Sequence, residues 1–221
     1  LGAQIAIIVF VRIERRGESA FILRDLEVDP ARYARFLNQL AVPGLEEAVC
    51  AYSAVGLYVG PTFDLAALPP PSEAPPLDPG RHVIPVCYDL GEDLAACAAE
   101  LGMSPEEVIR AHTSAEYRCF ALGFSPGFAY LGYLPAEISG LSRLATPRTR
   151  VPAGSVGVTG RQTAVYPSAT PGGWRLIGRT PLRMADEEGD YCPIAVGDIV
   201  VFEAITPSDY DRSNDSARLR T

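Results

Sequence analysis

Residues 138–185 hold seven arginines, at positions 143, 148, 150, 161, 175, 179 and 183, and no acidic residue. The chain has 19 basic residues, all arginine, so the other twelve face 27 acidic residues elsewhere. Such segregation concentrates positive potential, and guanidinium forks match carboxylate or phosphate oxygens in pairs. These arginines either converge on an anion, as a small ligand or an acidic partner, or are scattered over several faces by strand alternation. The same stretch carries the turns PAGSVGVTG (152–160) and TPGGW (170–174) on either side of QTAVYP (162–167). Consecutive glycines let backbone N–H groups cradle an anion, and they equally suit hairpin turns. GFSPGFAYLG (123–132) threads Phe124, Phe128 and Tyr130 onto a Gly/Pro loop, where aromatic rings can wall a pocket or plug a barrel end.

Two histidines are present. His112 closes a capped helix just before a strand, a place for general acid–base work. The helix dipole favours a histidine there without catalysis as well. His82 stands at a strand start beside a proline-rich segment. The five cysteines show no CxxC spacing, so no structural zinc or other metal site is expected. They read as small core residues of a reducing compartment, with Cys119 in a strand rather than acting as a nucleophile. No GxSxG, HExxH or DxDxDG occurs, and AHTSAEY (111–117) is too local to be a triad.

The absence of lysine excludes a P-loop, a protein kinase, Schiff-base catalysis and lysine attachment of biotin or pyridoxal phosphate. A net charge of −8 argues against nucleic acid as a partner. With 221 residues, 48% of them hydrophobic, the chain can bury a core in one large or two small domains. The longest apolar run, residues 5–11, is too short to span a bilayer. It lacks the flanks of a signal peptide, so a cytoplasmic location without membrane partners is expected.

The elements that must position these residues follow from periodicity. Residues 5–13 and 20–24 read as strands, with Arg15, Arg16 and Gly17 in the turn between them. Asp29-Pro30 caps a helix whose Tyr33, Phe36, Leu37 and Leu40 share one face. Two strands broken near Ser53 occupy residues 48–59. Residues 64–81 contain six prolines and mark a boundary. The expected organisation is an N-terminal α+β domain with its proline-rich linker over 1–80 and a second domain over 81–221. The second opens with a strand at 82–88 and a helix at 93–101 ended by Gly102. A capping box, Ser104-Pro105-Glu106-Glu107, then starts a helix ending near His112. Beyond it helical signals vanish, and short β-type runs at 117–122, 155–159, 163–166, 174–178 and 199–204 suggest a small barrel or sandwich.

HTSAEYRCFALGFSPGFAYLG (112–132), TPRTRVPAGSVGVTGRQTAVYPSATPGGWRLIGRTPL (146–182) and GDIVVF (197–202) together resemble the allophanate hydrolase subunit 1 family. That family includes the B subunit of bacterial ATP-dependent 5-oxoprolinase and an inhibitor of a sporulation histidine kinase. It is also similar to half of the urea carboxylase carboxyltransferase domain. The segment after Cys87-Tyr88, DLGED, is shorter than the family's, and Ala164 stands where the family commonly has glycine. The resemblance implies an α+β chain whose second domain is a cyclophilin-like β-barrel. It implies two partners, the homologous C subunit (allophanate hydrolase subunit 2-like) and the A subunit of the oxoprolinase. It also implies a reaction that opens 5-oxo-L-proline with ATP and water to L-glutamate, ADP and phosphate. Magnesium would ride on the nucleotide. On this reading Arg148, Arg161, Gly154, Ser155, Gly172 and Gly173 face the anionic ligand beside Phe128. Gln162 and Tyr166 hydrogen-bond the lactam, and His112 moves a proton. Arg148 and His112 are then needed for turnover and not for folding. A regulator docking on a histidine kinase, a role in urea or allophanate metabolism, and a prolyl isomerase are the alternatives, the last resting on fold analogy alone.

Overall fold

The computed structural model describes residues 11–186 and 191–213. It divides into two compact units, between Asp78 and Pro79. The first 10 residues of the apolar N-terminal stretch, including most of the strand expected at 5–13, lie outside the described residues.

Among its described residues the first unit is a four-stranded antiparallel sheet with one α-helix. Its strands are β1 (Arg12–Arg16), β2 (Ala20–Arg24), β3 (Leu45–Ala51) and β4 (Ala54–Val59), in the order β1-β2-β4-β3. Arg15 and Arg16 belong to β1, and the turn tightens to residues 17–19. Helix α1 (Pro30–Gln39) starts where the Asp29 carboxylate accepts the Ala31 N–H at 2.8 Å. Its Tyr33 and Leu37 are buried with Leu23, Val55 and Leu57 from one sheet face. The proline-rich segment is not a free spacer. The Tyr33 hydroxyl donates to Pro69 O at 2.7 Å, Arg32 Nε donates to Ala74 O at 2.8 Å, and Pro71 and Ala74 are buried.

The second unit runs β5 (Arg81–Val86), α2 (Leu94–Leu101), α3 (Pro105–Thr113), β6 (Glu116–Leu122), β7 (Ala129–Gly132), β8 (Arg148–Val151), β9 (Ser155–Thr159), β10 (Gln162–Val165), β11 (Thr170–Gly172), β12 (Arg175–Arg179), β13 (Ile199–Ala204) and α4 (Pro207–Arg212). Seven strands form one sheet in the order β12-β9-β10-β7-β6-β13-β5, in which only β13–β5 is parallel. The ends of that sheet meet. Cys87, just after β5, and Arg179 of β12 exchange both backbone hydrogen bonds at 2.9 Å. The sheet is therefore a nearly closed barrel, which removes the exposed edges an open sheet would leave. Side chains such as Ile84, Tyr117, Leu131, Val156, Ile177 and Phe202 fill it, with Val108 of α3 and Cys97 of α2 in the same cluster.

Helices α2 and α3 have the ends their sequences dictate. Gly102 takes the left-handed conformation after α2, and Ser104 and Glu107 make both bonds of the capping box. Strands β7, β8 and β11 and the short α4 carry too little periodicity to be read from the chain. Four cysteines are buried, whereas Cys192 is exposed. Among the described residues no helix is long and apolar enough to cross a membrane.

Asp93 ties α2 to the barrel. Its backbone N–H donates to Leu176 O at 2.8 Å, and its carboxylate accepts the Leu176 N–H at 2.7 Å. Both backbone groups of a residue on the outer edge of β12 are thereby satisfied. The second carboxylate oxygen accepts from Arg148 Nη2 at 2.8 Å. Asp93→Ala would strand a buried N–H and a largely covered guanidinium. It should lower the unfolding free energy by about 2–3 kcal/mol in urea melts. Asp93→Asn, which keeps an acceptor for Leu176, should lose less.

Candidate functional site

Strand β10 has two buried faces. Thr163 and Val165 point into the barrel, while Ala164 and the following Tyr166 join a second cluster on the outside with Phe128, Val151, Trp174 and Leu176. The ribbon formed by β8 and β11 supplies Val151 to that cluster. A pocket of about 100 Å³ opens here, walled by the rings of Phe124, Phe128, Tyr130, Tyr166 and Trp174. Gly172, Gly173 and Arg143 complete its lining.

Phe128 is the hub of the wall. The rings of Tyr130, Phe124, Tyr166 and Trp174 approach it steeply tilted at 5.0, 5.2, 5.3 and 5.6 Å, the edge-to-face geometry aromatic quadrupoles favour. The loop at 123–128 presents it: Gly123 N–H donates to Phe128 O and Phe128 N–H to Ser125 O, both at 3.1 Å. Phe124 lies at a left-handed φ of 74° and is 62% exposed, at the pocket mouth. Burial raises the Tyr166 phenol above its usual range. A hydrogen bond with the Trp174 backbone and the charges of Arg143 and Arg148 pull in the opposite direction. The net shift is upward, so Tyr166 remains a protonated donor at neutral pH. A Cβ on Gly172 would fall 2.5 Å from the Tyr166 hydroxyl, so glycine there is what lets this ring occupy its place.

The arginines do not converge, which corrects the expectation of one concave cationic patch. Arg148 pairs with Asp93 at 2.8 Å and Glu92 at 3.3 Å, and the hydrogen bond to Asp93 holds its pKa up. Arg175 pairs with Glu100 at 3.0 Å. Acids absent from the local sequence thus arrive from residues 92–100. Arg161 lies over the Tyr133 ring, 4.1 Å from its centroid, and Tyr133 stacks on Phe120 at 4.8 Å. Arg179 Nε donates to Ala153 O and Arg183 Nε to Ala185 O. Arg143 alone lines the aromatic pocket, and among the described residues it has no ion pair.

Of the residues singled out in the sequence, Phe128, Tyr166, Gly172 and Gly173 are brought together. Gln162 shares the outer face with Ala164 but does not line the pocket. Ser155 is buried and borders a separate cleft of about 350 Å³ with Arg179, Asp89 and Glu92. Gly154 is not an anion cradle. Its N–H donates to Tyr166 O at 2.8 Å, its carbonyl accepts from Thr180 N–H at 2.9 Å, and its φ is +80°. A Cβ there would stand 2.4 Å from Thr180 O. Arg143 was named only as one of seven arginines and Trp174 only as the end of TPGGW, and neither was assigned to the site. Trp174 is the only tryptophan and directly follows Gly172-Gly173, a signal that could have found it.

His112 is corrected from proton carrier to core residue. It is fully buried, with Nδ1 2.7 Å from the Tyr88 hydroxyl and Nε2 2.9 Å from Thr163 Oγ1. Its ring packs on Phe202 at 4.5 Å and Tyr117 at 5.3 Å. Desolvation alone pushes it down to about 3, so it is neutral at physiological pH. His82 is also buried, with Nε2 2.9 Å from an Asp198 carboxylate that further accepts the Gly80 and Ala195 N–H groups.

These features define a cyclophilin-like α+β barrel of the carboxyltransferase type, with an aromatic pocket on its outer face. A family model described as carboxyltransferase domain, subdomain C and D, matches residues 13–193, and the chain belongs to that family. It is 35% identical to the 5-oxoprolinase B subunit of Bacillus subtilis (strain 168), over 90% of this chain and 95% of that protein. It is 53% identical to the 5-oxoprolinase B subunit of Escherichia coli O157:H7 over 48% of this chain and 50% of that one. The solved structure of TTHA0988 superposes with a TM-score of 0.75 at 36% identity, covering 84% of this chain and 40% of that one. The chain thus spans about two fifths of TTHA0988. Kluyveromyces lactis urea carboxylase shares the fold, with a TM-score of 0.65 at 18% identity over 95% of this chain and 23% of its own.

Two outcomes test these assignments. The His112 ring resonances should not shift between pH 8 and 5. Stability should be fully present above the unfolded-state pKa near ~6.5 and fall as the pH drops toward the folded value, by at most about 1.4 kcal/mol per pH unit. His112→Gln should remove that component from urea melts. Gly154→Ala should cost at least about 2 kcal/mol, which a ligand-cradle role would not demand.

Proposed function

We propose that this chain is one component of an ATP-dependent 5-oxoprolinase, which with its homologous C subunit, and with the A subunit, converts 5-oxo-L-proline to L-glutamate. The observation that carries the reading is the aromatic pocket, on a chain that matches nearly the whole of a 5-oxoprolinase B subunit. About 100 Å³ suits a small lactam ring and is well below the roughly 300–1,000 Å³ of sites for larger ligands. A larger cleft, about 610 Å³, has Pro126, Ser168, Arg183 and Asp186 in its walls. It has room for ATP, which would bring Mg²⁺ on its phosphates.

A lactam carbonyl is a poor electrophile. Transfer of the γ-phosphoryl group to its oxygen makes the carbon attackable. Water adds there, and the ring C–N bond breaks as nitrogen takes a proton, leaving an acyl phosphate. A second water then releases phosphate and glutamate. Positioning and charge neutralisation are the catalyst's share of this sequence. On this chain Tyr166 would donate a hydrogen bond to the lactam oxygen. Arg148, held by Asp93 and Glu92, would support the wall rather than bind phosphate.

Co-expression with partners resembling the C and A subunits, followed by a glutamate-release assay, tests the proposal. Glutamate and phosphate should appear together, only with 5-oxoproline and ATP, and only when this chain is present. Tyr166→Phe should lower turnover by about tenfold, the loss of one hydrogen bond. Equal glutamate release by the partners without this chain would overturn it.

A further inference from the structure

We propose that the outer-face pocket is a recognition site for a small cyclic monocarboxylate, in which Arg143 pairs with the carboxylate while Phe128 and Trp174 wall the ring. The inference rests on the reading of this face as the 5-oxoproline site, and adds the residue that selects the ligand's carboxylate.

Charge comes first. Among the described residues, Arg143 is the only charged one in the pocket lining, and none there is acidic. The chain has 27 acidic residues, yet none of those described pairs with it, whereas Arg148 and Arg175 are each held by acids from residues 92–100. One uncompensated positive charge matches one negative charge on the ligand, and a guanidinium fork matches a carboxylate.

The placement of Arg143 is built, not incidental. Leu144 N–H donates to Gly173 O at 2.8 Å, and Arg175 Nε donates to Ser142 O at 3.1 Å. The residues on both sides of Arg143 are thus pinned to the segment that carries Gly173 and Trp174. Arg143 itself is exposed, at the rim, where an incoming anion meets it before the rings. Behind the rim the wall is aromatic, with Phe128 and Trp174 5.6 Å apart and nearly perpendicular. A small ring can be enclosed there, while the volume excludes a nucleotide or a peptide. The Tyr130 and Tyr166 phenols, which line the same pocket, offer hydrogen bonds to polar atoms of the ring.

Trp174 is the only tryptophan of the chain, so its emission reports this pocket and nothing else. The full chain is titrated with 5-oxoproline, with cyclopentanecarboxylate (ring and carboxylate, no lactam) and with 2-pyrrolidinone (lactam, no carboxylate). Calorimetry on the same samples records any binding that is silent in fluorescence. Both carboxylates should shift the emission saturably, and 2-pyrrolidinone should bind at least tenfold more weakly. Arg143→Gln should weaken both carboxylates at least tenfold, leave 2-pyrrolidinone unchanged and keep the wild-type melting curve. In an assembled complex the same variant should raise KM for 5-oxoproline. No emission change and no heat with either carboxylate, or unchanged carboxylate binding by Arg143→Gln, would overturn the inference. Arg143-dependent binding without glutamate release in any assembly would sink the 5-oxoprolinase reading and leave this site standing. Glutamate release with an unaltered KM in Arg143→Gln would do the reverse.

Discussion

The second unit depends on one geometric constraint: side chains of a strand alternate between faces, and here both faces of the central strands are buried. Thr163 and Val165 of β10 fill the barrel, and Ala164 and Tyr166 fill the cluster outside it. Leu176 and Ile177 of β12 divide in the same way. A barrel strand usually turns its outer residues to water. These cannot, because the β8–β11 ribbon brings Val151 onto that cluster, and the pocket opens beside it. A shift of one residue in β10 would exchange the contents of the two cores.

The polar groups obey the same economy of burial. His112 occupies the barrel core, where charge is expensive, and it stays neutral between two hydroxyls. Its bond to Thr163 fixes the inner side of the strand whose next residue, Ala164, faces the aromatic cluster. On the outside Asp93 serves three donors and acceptors at once: it closes the free edge of β12, seats α2 and neutralises Arg148. Glycine takes part through what it lacks. At Gly172 the missing Cβ makes room for the Tyr166 hydroxyl, and at Gly154 it lets Thr180 O approach.

Charge segregation along the chain has two consequences in space. The arginines of residues 138–185 are partly matched by acids of residues 92–100, so much of the local excess is cancelled within the fold. What remains is distributed. Arg161 lies on an exposed aromatic stack, and Arg143 stands by the pocket without an ion pair among the described residues. A linear charge count cannot separate cancelled from uncancelled cations, because pairing across 55 or 75 positions is invisible to it.

Whatever depends on near neighbours was legible in the order of residues. Asp29-Pro30 and Ser104-Glu107 start helices and Gly102 ends one, because caps are local hydrogen bonds and local dihedral freedom. The alternating runs that became β6, β9, β10, β12 and β13 were legible for the same reason, and so was the α+β class. Tyr166, Phe128 and the Gly172-Gly173 pair stood out by residue type, and the fold brings them to one pocket. It took folding in three dimensions to close the barrel between β5 and β12, to make Arg148 a structural ion and to seal His112 in the core. Folding also brought Arg143 and Trp174 to the pocket. Each of these is a long-range pairing or a degree of burial, set by which distant surfaces pack together.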